Sequence, residues 1–159
     1  MNPTYKLRPV GTVHSAAHGV EIRVEPEYRD ALTGLEGFSH VLTLYWFHLN
    51  DNDEARSLRV SNKPYSRGPD TLGIFATRSP LRPNPIAVTS SRILGVDTKS
   101  GVITVDCSDA EEGTPVLDLK PYHPSIDRVR DAKVPAWCAH WPRCVEENAT
   151  FDWSAEFNF

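Results

Sequence analysis

Seven consecutive residues, Val41-Leu42-Thr43-Leu44-Tyr45-Trp46-Phe47, are β-branched, aromatic or leucine, and that run limits the fold more than any other stretch of the chain. Its length and composition predict the central strand of a sheet, over residues 38–49 and buried on both faces. Shorter strands surround it. Val20, Ile22 and Val24 alternate with Glu21, Arg23 and Glu25, the period of a half-buried strand. Residues 86–96 and 102–107 flank Asp97-Thr98-Lys99-Ser100-Gly101, a polar, glycine-terminated stretch that predicts a hairpin. Residues 116–119 read as another strand, with Asp118 and Lys120 on one face and Leu117 and Leu119 on the other. Pro26 opens a brief helix running through Ala31 and Leu35, with Gly37 as its stop.

Many short strands with one or two short helices predict an all-β fold, a closed or nearly closed antiparallel β-barrel, because closure removes exposed strand edges. No internal repeat, low-complexity tract or linker divides the chain, so residues 1–159 read as a single domain. Composition bounds what that domain does. Of the residues, 40% are hydrophobic and 24% charged, no span predicts a membrane helix, and Met1–Lys6 has no leader's apolar run. Three cysteines, Cys107, Cys138 and Cys144, are odd in number and not closely paired, which predicts a reducing, cytoplasmic setting. Cys138, His140 and Cys144 fit no common zinc spacing; beside Trp137 and Trp141 they read as a packed terminal cluster, and no metal is expected.

A net charge of −4 opposes broad, sequence-independent nucleic-acid binding, yet residues 56–82 hold Arg56, Arg59, Lys63, Arg67, Arg78 and Arg82 against Asp70 alone. That segment is either a solvated basic loop or a phosphate-attracting surface. Within it and just beyond runs Gly73-Ile74-Phe75-Ala76-Thr77-Arg78-Ser79-Pro80-Leu81-Arg82-Pro83-Asn84-Pro85-Ile86. Proline fixes φ, removes a donor and biases the preceding residue toward extended backbone, so Ser79, Arg82 and Asn84 should be extended. Two arginine forks and one amide on stiff backbone suit a preorganised binding loop; a proline-rich surface connection is the plain alternative.

These residues closely resemble the signature of the TsaA-like family. Leu35-Glu36-Gly37-Phe38-Ser39-His40-Val41 upstream and Glu112-Gly113-Thr114-Pro115-Val116-Leu117-Asp118-Leu119-Lys120-Pro121-Tyr122 downstream resemble its further blocks in order, so the likeness spans roughly residues 5–141. The resemblance implies a barrel-like domain that binds S-adenosylmethionine, pairs as a homodimer and transfers methyl groups. It also implies cofactor contacts at His48, Leu49, Arg78 and Ser90, and along Asp109, Ala110, Glu111, Glu112 and Gly113. Such a ligand needs an anion clamp, electron-rich groups near sulfur and an apolar slot with polar ends. His40 reads instead as a buried, hydrogen-bonded structural histidine, and Asp118 with Lys120 as either a structural cross-strand ion pair or a substrate clamp.

Methyl transfer to nitrogen depends on collinear approach more than on acid or base, so positioning groups should be inconspicuous. Asn84 and Arg82 are the candidate catalytic residues. The Asn84 side chain, or the Pro83 or Asn84 carbonyl, would accept a hydrogen bond from an amine acceptor, by analogy with Asn-Pro elements in unrelated amino-methyltransferases. Arg82 would hold acceptor phosphate or the loop itself. Against the longer family members, only Ala16, Ala17, His18 and Gly19 lie between Ser15 and Val20, where those enzymes carry a Pro-Arg-Gln cofactor contact. Their C-terminal domain, associated with tRNA recognition, has no counterpart here. Two functions follow: methylation of the exocyclic amine of threonylcarbamoyladenosine in tRNA, or an S-adenosylmethionine-sensing module or small-acceptor methyltransferase without tRNA activity.

Overall fold

The computed structural model describes residues 5–158; Met1–Thr4, part of the stretch read for a leader, and Phe159 lie outside the described residues. Its strands are β1 (Gly11–Ala16), β2 (Gly19–Val24), β3 (His40–Trp46), β4 (Val60–Asn62), β5 (Thr71–Gly73), β6 (Ile86–Asp97), β7 (Val102–Val105) and β8 (Pro115–Pro121). Six of them close into a barrel in the order β1-β2-β7-β6-β3-β8, with β8 pairing back onto β1 and every pairing antiparallel. The expected closed barrel is therefore the fold. The chain forms two compact units: Met1–Asp51 with Pro85–Asp127, which holds the barrel, and Asn52–Asn84 with Arg128–Phe159.

Alternation builds the barrel interior. Val13, Ile22, Val41, Ile103, Val105 and Val116 are each at most 1% exposed, and burying such a side chain contributes about 1.5–3 kcal/mol. In β3 the buried residues are Val41, Thr43 and Tyr45, while Leu42, Leu44 and Trp46 are only half-buried. This corrects the expectation of a strand buried on both faces: in a barrel each strand has one lumenal face, and its other side is only partly covered. The strand is also shorter than expected, because Phe47 leads into a single 3-10 turn at His48–Asn50.

Tight connections fix the rest. Ala17 and His18 alone join β1 to β2, with Ala16 opposite Gly19. Gly19 has φ 103°, and a Cβ there would lie 2.2 Å from the Val105 carbonyl oxygen, so only glycine fits. The expected helix after Pro26 is 3-10, at Pro26–Leu32 and again at Leu35–Gly37, and Leu32 reaches the core at 2% exposure. Sheet β6–β7 forms the expected hairpin, with a register shift between Ile93 and Gly95 that bends the long strand. Asp118 and Lys120 share a face of β8 and pair at 2.6 Å along the strand, not across strands. His40 is half-buried and bonds Ser39 Oγ through Nδ1 at 2.9 Å, less enclosed than expected.

The second unit contains the β4–β5 ribbon and an aromatic cluster. Tyr65, 7% exposed, stacks on Trp137 at 5.0 Å between ring centroids and meets Trp141 edge-on at 5.2 Å. Trp153 joins through Trp141 and Phe151. Glu156, 4% exposed, accepts hydrogen bonds from His140 Nε2 at 2.7 Å and Trp141 Nε1 at 3.0 Å. The Trp141 bond, then the His140 bond, hold its carboxyl below the usual carboxylate range. Cys138 is buried with its thiol donating to the Pro135 carbonyl, and Trp137 and Trp141 form the packed cluster expected there, but Cys144 is exposed and stands outside it. Among the described residues, no three His, Cys, Asp or Glu side chains are grouped to hold a metal, and no helix is long and apolar enough to cross a membrane.

Candidate functional site

At the barrel end where β3 finishes and β8 begins, Tyr45, Phe47, His48, Leu49 and Asn50 face Asp109, Ala110, Glu111 and Thr114 across a cleft. The β3 side is set by the 3-10 turn that follows the strand, which carries His48 half-buried and leaves Leu49 68% exposed on the rim. The facing loop, residues 109–113, is held at several points. Ala110 packs against the barrel core, and its amide donates to Ser108 Oγ at 3.1 Å. The Gly113 amide donates to the Val13 carbonyl, the Val13 amide to the Thr114 carbonyl, and the Thr114 amide to the Glu111 carbonyl. Gly113 turns this corner with φ 75°, in the left-handed region that favours glycine.

Thr114 is 3% exposed, and its hydroxyl lies 3.4 Å from His48 Nδ1, linking the loop to the β3 turn. Asp109 and Glu111 are exposed, and among the described residues neither carboxylate accepts a hydrogen bond or forms an ion pair. Glu112 differs. Its Oε2 accepts the Ser15 amide at 2.7 Å and its Oε1 meets His14 Nδ1 at 2.7 Å, and these bonds hold its carboxyl below the usual range. The cleft is narrow, about 30 Å³, which admits one polar group of a ligand and leaves the remainder on the rim. Two free carboxylates suit a cationic group there.

A larger cavity, about 330 Å³, opens at the opposite end of the barrel between Val10, Val24, Leu32, Leu35, Phe38 and Leu119. Its walls are mainly aliphatic, and Asp118 at its edge is already paired with Lys120. Size favours that cavity for a whole ligand. Free charge favours the narrow cleft, and charge decides for a ligand carrying cations, since an aliphatic wall offers them nothing in exchange for lost hydration.

Of the residues expected at a cofactor, the structure thus groups His48, Leu49, Asp109, Ala110 and Glu111 around one cleft. Glu112 and Gly113 shape the loop without lining it. Ser90 sits on β6 between inward-facing Thr89 and Ser91, beside outward-facing Val88, and so points away from the lumen. Arg78, Arg82 and Asn84 belong to the second unit. There, Arg82 Nη1 donates to the carbonyls of Thr77 and Ser79, both at 3.4 Å, so this arginine braces its own loop. Arg78 and Asn84 are exposed, and the Arg78 backbone hydrogen-bonds the Tyr65 phenol. The sequence reading missed Tyr45, Phe47, Asn50 and Thr114 as lining residues; Thr114 stood in a quoted block and was legible, whereas Tyr45 looked like core.

The fold and this mouth define a class: closed six-stranded antiparallel barrels with an acid-rimmed cleft beside a histidine turn. The chain belongs to the family described as tRNA-methyltransferase O N-terminal domain, which it matches over residues 6–128. It is 35% identical over 136 residues to a "Probable S-adenosyl-L-methionine-binding protein" of Methanothermobacter thermautotrophicus, covering 77% of this chain and 93% of that one. It is 37% identical over 109 residues to an S-adenosyl-L-methionine-binding protein of Archaeoglobus fulgidus, covering 69% and 73%. Among solved structures, TrmO from Pseudomonas aeruginosa superposes with TM-score 0.62 at 30% identity, covering 82% of this chain and 62% of that one. Another TrmO structure gives TM-score 0.67 at 30% identity, covering 83% and 64%. The chain therefore spans under two thirds of the length of those TrmO chains.

Proposed function

We propose that the protein is an S-adenosylmethionine-dependent methyltransferase that receives its cofactor at the acid-rimmed barrel mouth. One observation carries the reading: His48, Leu49 and residues 109–111, far apart in sequence, line a single cleft with two uncommitted carboxylates. S-adenosylmethionine supplies an electrophilic methyl group on a sulfonium. The residues present fit its ammonium and sulfonium charges. Asp109 and Glu111 would attract the ammonium, Phe47 and Leu49 offer apolar contact, and half-buried Asn50 offers an amide. The binding names of the relatives support the same ligand.

The proposed acceptor is tRNA, supported by the charge of one segment of the second unit. Arg56, Arg59, Lys63, Arg67, Arg78 and Arg82 lie in Asn52–Asn84 against Asp53, Glu54 and Asp70, and this basic excess suits phosphates; with the match to a tRNA-methyltransferase domain it supports tRNA as substrate, with the exocyclic amine of threonylcarbamoyladenosine as the proposed target. Asn84 is exposed and free to accept a hydrogen bond from that amine, orienting its lone pair, while Arg82 keeps the loop rigid. Arg78 would contact an acceptor phosphate. The protein works as a homodimer in this reading, with exposed Ile86 and Val88 on the barrel unit as apolar contact residues.

Calorimetry with S-adenosylmethionine tests the site. Asp109→Ala with Glu111→Ala should weaken binding strongly, whereas Leu35→Trp, which fills the larger cavity, should leave it unchanged; the reverse pattern would move the site. Mass spectrometry of tRNA nucleosides from cells with and without the gene tests the acceptor. Asn84→Ala should lower turnover far more than cofactor affinity. Cofactor binding with no change in any tRNA nucleoside would favour a sensing module.

A further inference from the structure

Glu112 lies in the acidic loop, yet it turns away from the cleft and spends both carboxylate oxygens on β1. Oε2 accepts the Ser15 amide at 2.7 Å, and Oε1 meets His14 Nδ1 at 2.7 Å. A carboxylate only accepts, so His14 Nδ1 carries the proton at that contact. The other ring nitrogen, Nε2, lies 2.8 Å from Thr12 Oγ1. With a neutral ring the Thr12 hydroxyl donates to Nε2; with a charged ring Nε2–H donates to the hydroxyl oxygen. The ring thus bridges Glu112 and Thr12. Glu21 lies opposite His14 on β2 but is already bonded to Arg23 at 2.9 Å.

We propose that His14 is a positioning residue for the cleft: through Glu112 it pins the apex of the acidic loop to β1, so that Asp109, Ala110 and Glu111 keep their places opposite His48. The inference rests on the reading of the cleft as the cofactor site. The next residues along the chain show how position is transmitted. Gly113 and Thr114 continue from Glu112 into backbone hydrogen bonds with Val13, and Thr114 meets His48 across the cleft. The loop is thus held on one side by backbone bonds to Val13 and at its apex by the Glu112 side chain, bonded to the His14 ring and the Ser15 amide. Removing the side-chain hold leaves the loop attached while freeing its acidic tip, which costs ligand affinity more than it costs folding. Supporting contacts behind a ligand commonly matter by about tenfold or more in affinity.

The test uses geometry that a general packing role would not respect. In His14→Asn the side-chain amide nitrogen stands near the Nδ1 position and can donate to Glu112; in His14→Gln the amide reaches instead toward the Nε2 position beside Thr12. His14→Ala and His14→Gln should each weaken S-adenosylmethionine binding about tenfold, His14→Asn should restore most of it, and His14→Ala with Glu112→Ala should be no worse than Glu112→Ala alone, which also loses the Ser15 amide bond. Amide exchange of the ligand-free protein reads the same contact without the ligand. The Ser15 and Gly113 amides should exchange faster in His14→Ala and Glu112→Ala than in His14→Asn, with the β3–β6 ladder unchanged. Equal effects of Ala, Gln and Asn on both readouts, or none, would overturn the proposal. A wild-type protein that binds no S-adenosylmethionine would defeat the cofactor reading alone, and the exchange pattern would still decide whether His14 pins the loop.

Discussion

The barrel unit and the second unit solve the same problem, burying enough apolar surface, with opposite materials. The barrel does it with small β-branched side chains on alternate positions of paired strands, Val13, Ile22, Val41, Ile103, Val105 and Val116, each sealed from water. Its backbone polar groups are satisfied by the ladders themselves. The second unit has one three-residue ribbon and few ladder bonds, and it relies on Tyr65, Trp137, Trp141, Trp153 and Phe157 around the buried Glu156 carboxylate. A period-2 core spreads its stability over many equivalent contacts. An aromatic cluster concentrates it in a few large rings and one hydrogen-bonded anion, so single substitutions there should act locally and depend on pH.

The comparison can be broken most forcefully at its two centres. Ile103→Ala should destabilise the protein by about 4 kcal/mol in denaturant unfolding, because the sealed barrel interior cannot collapse around the missing atoms. Protection of amides across all six barrel strands should fall together; loss confined to β7 would contradict a shared core. Trp141→Ala should cost about 3 kcal/mol, read as faster amide exchange at Ser66, Gly68 and Glu156 with the barrel ladders untouched. Uniform loss over the whole chain would mean the two units do not hold themselves together separately.

Smaller effects sharpen it. Gly19→Ala should cost about 2 kcal/mol, since a Cβ strains the positive φ and meets the Val105 oxygen, and thermal unfolding reads it directly. A neutral outcome would mean the β1–β2 turn can shift. The smallest expected effect is the pH limb of the aromatic cluster. Because folding lowers the Glu156 pKa, its contribution is complete above the usual carboxylate range and lost as pH falls through the folded value below it. Near-ultraviolet circular dichroism reports mainly this unit, since of the four tryptophans only Trp46 lies in the barrel unit. Glu156→Gln should flatten the acid limb of that signal; an unchanged limb would assign it to another group.

The fold was legible where side-chain period and backbone geometry agree. Residues 20–24 alternate in sequence and in burial, and the β6–β7 hairpin follows from a polar, glycine-terminated loop between two apolar runs. Strand β3 misled because leucine and tryptophan on a barrel's outer face look, in one dimension, like lumenal residues. Strand β1 was not recognised at all: Gly11-Thr12-Val13-His14-Ser15-Ala16 has one strongly apolar residue, and its pairing with β2 and β8 defines it. Within the site, His48 and residues 109–111 were found through the family's blocks. Glu112 was found too, but not the side to which it turns, because nothing in the sequence sets His14 beside it.

The chain alone determined its strand-rich character, its stiff proline-bracketed loop and the chemical types available to meet a cationic ligand. These follow from local geometry and from hydrophobic period, which act over a few residues. Tertiary structure alone decided which carboxylates stay free for a ligand and which are consumed. Asp109, Glu111 and Glu112 are near neighbours of similar chemistry, and only the passage of β1 beside the loop gives Glu112 a histidine and an amide while leaving the other two to solvent. Hydrogen bonds are directional and short, so a partner 98 positions away in sequence settles that role.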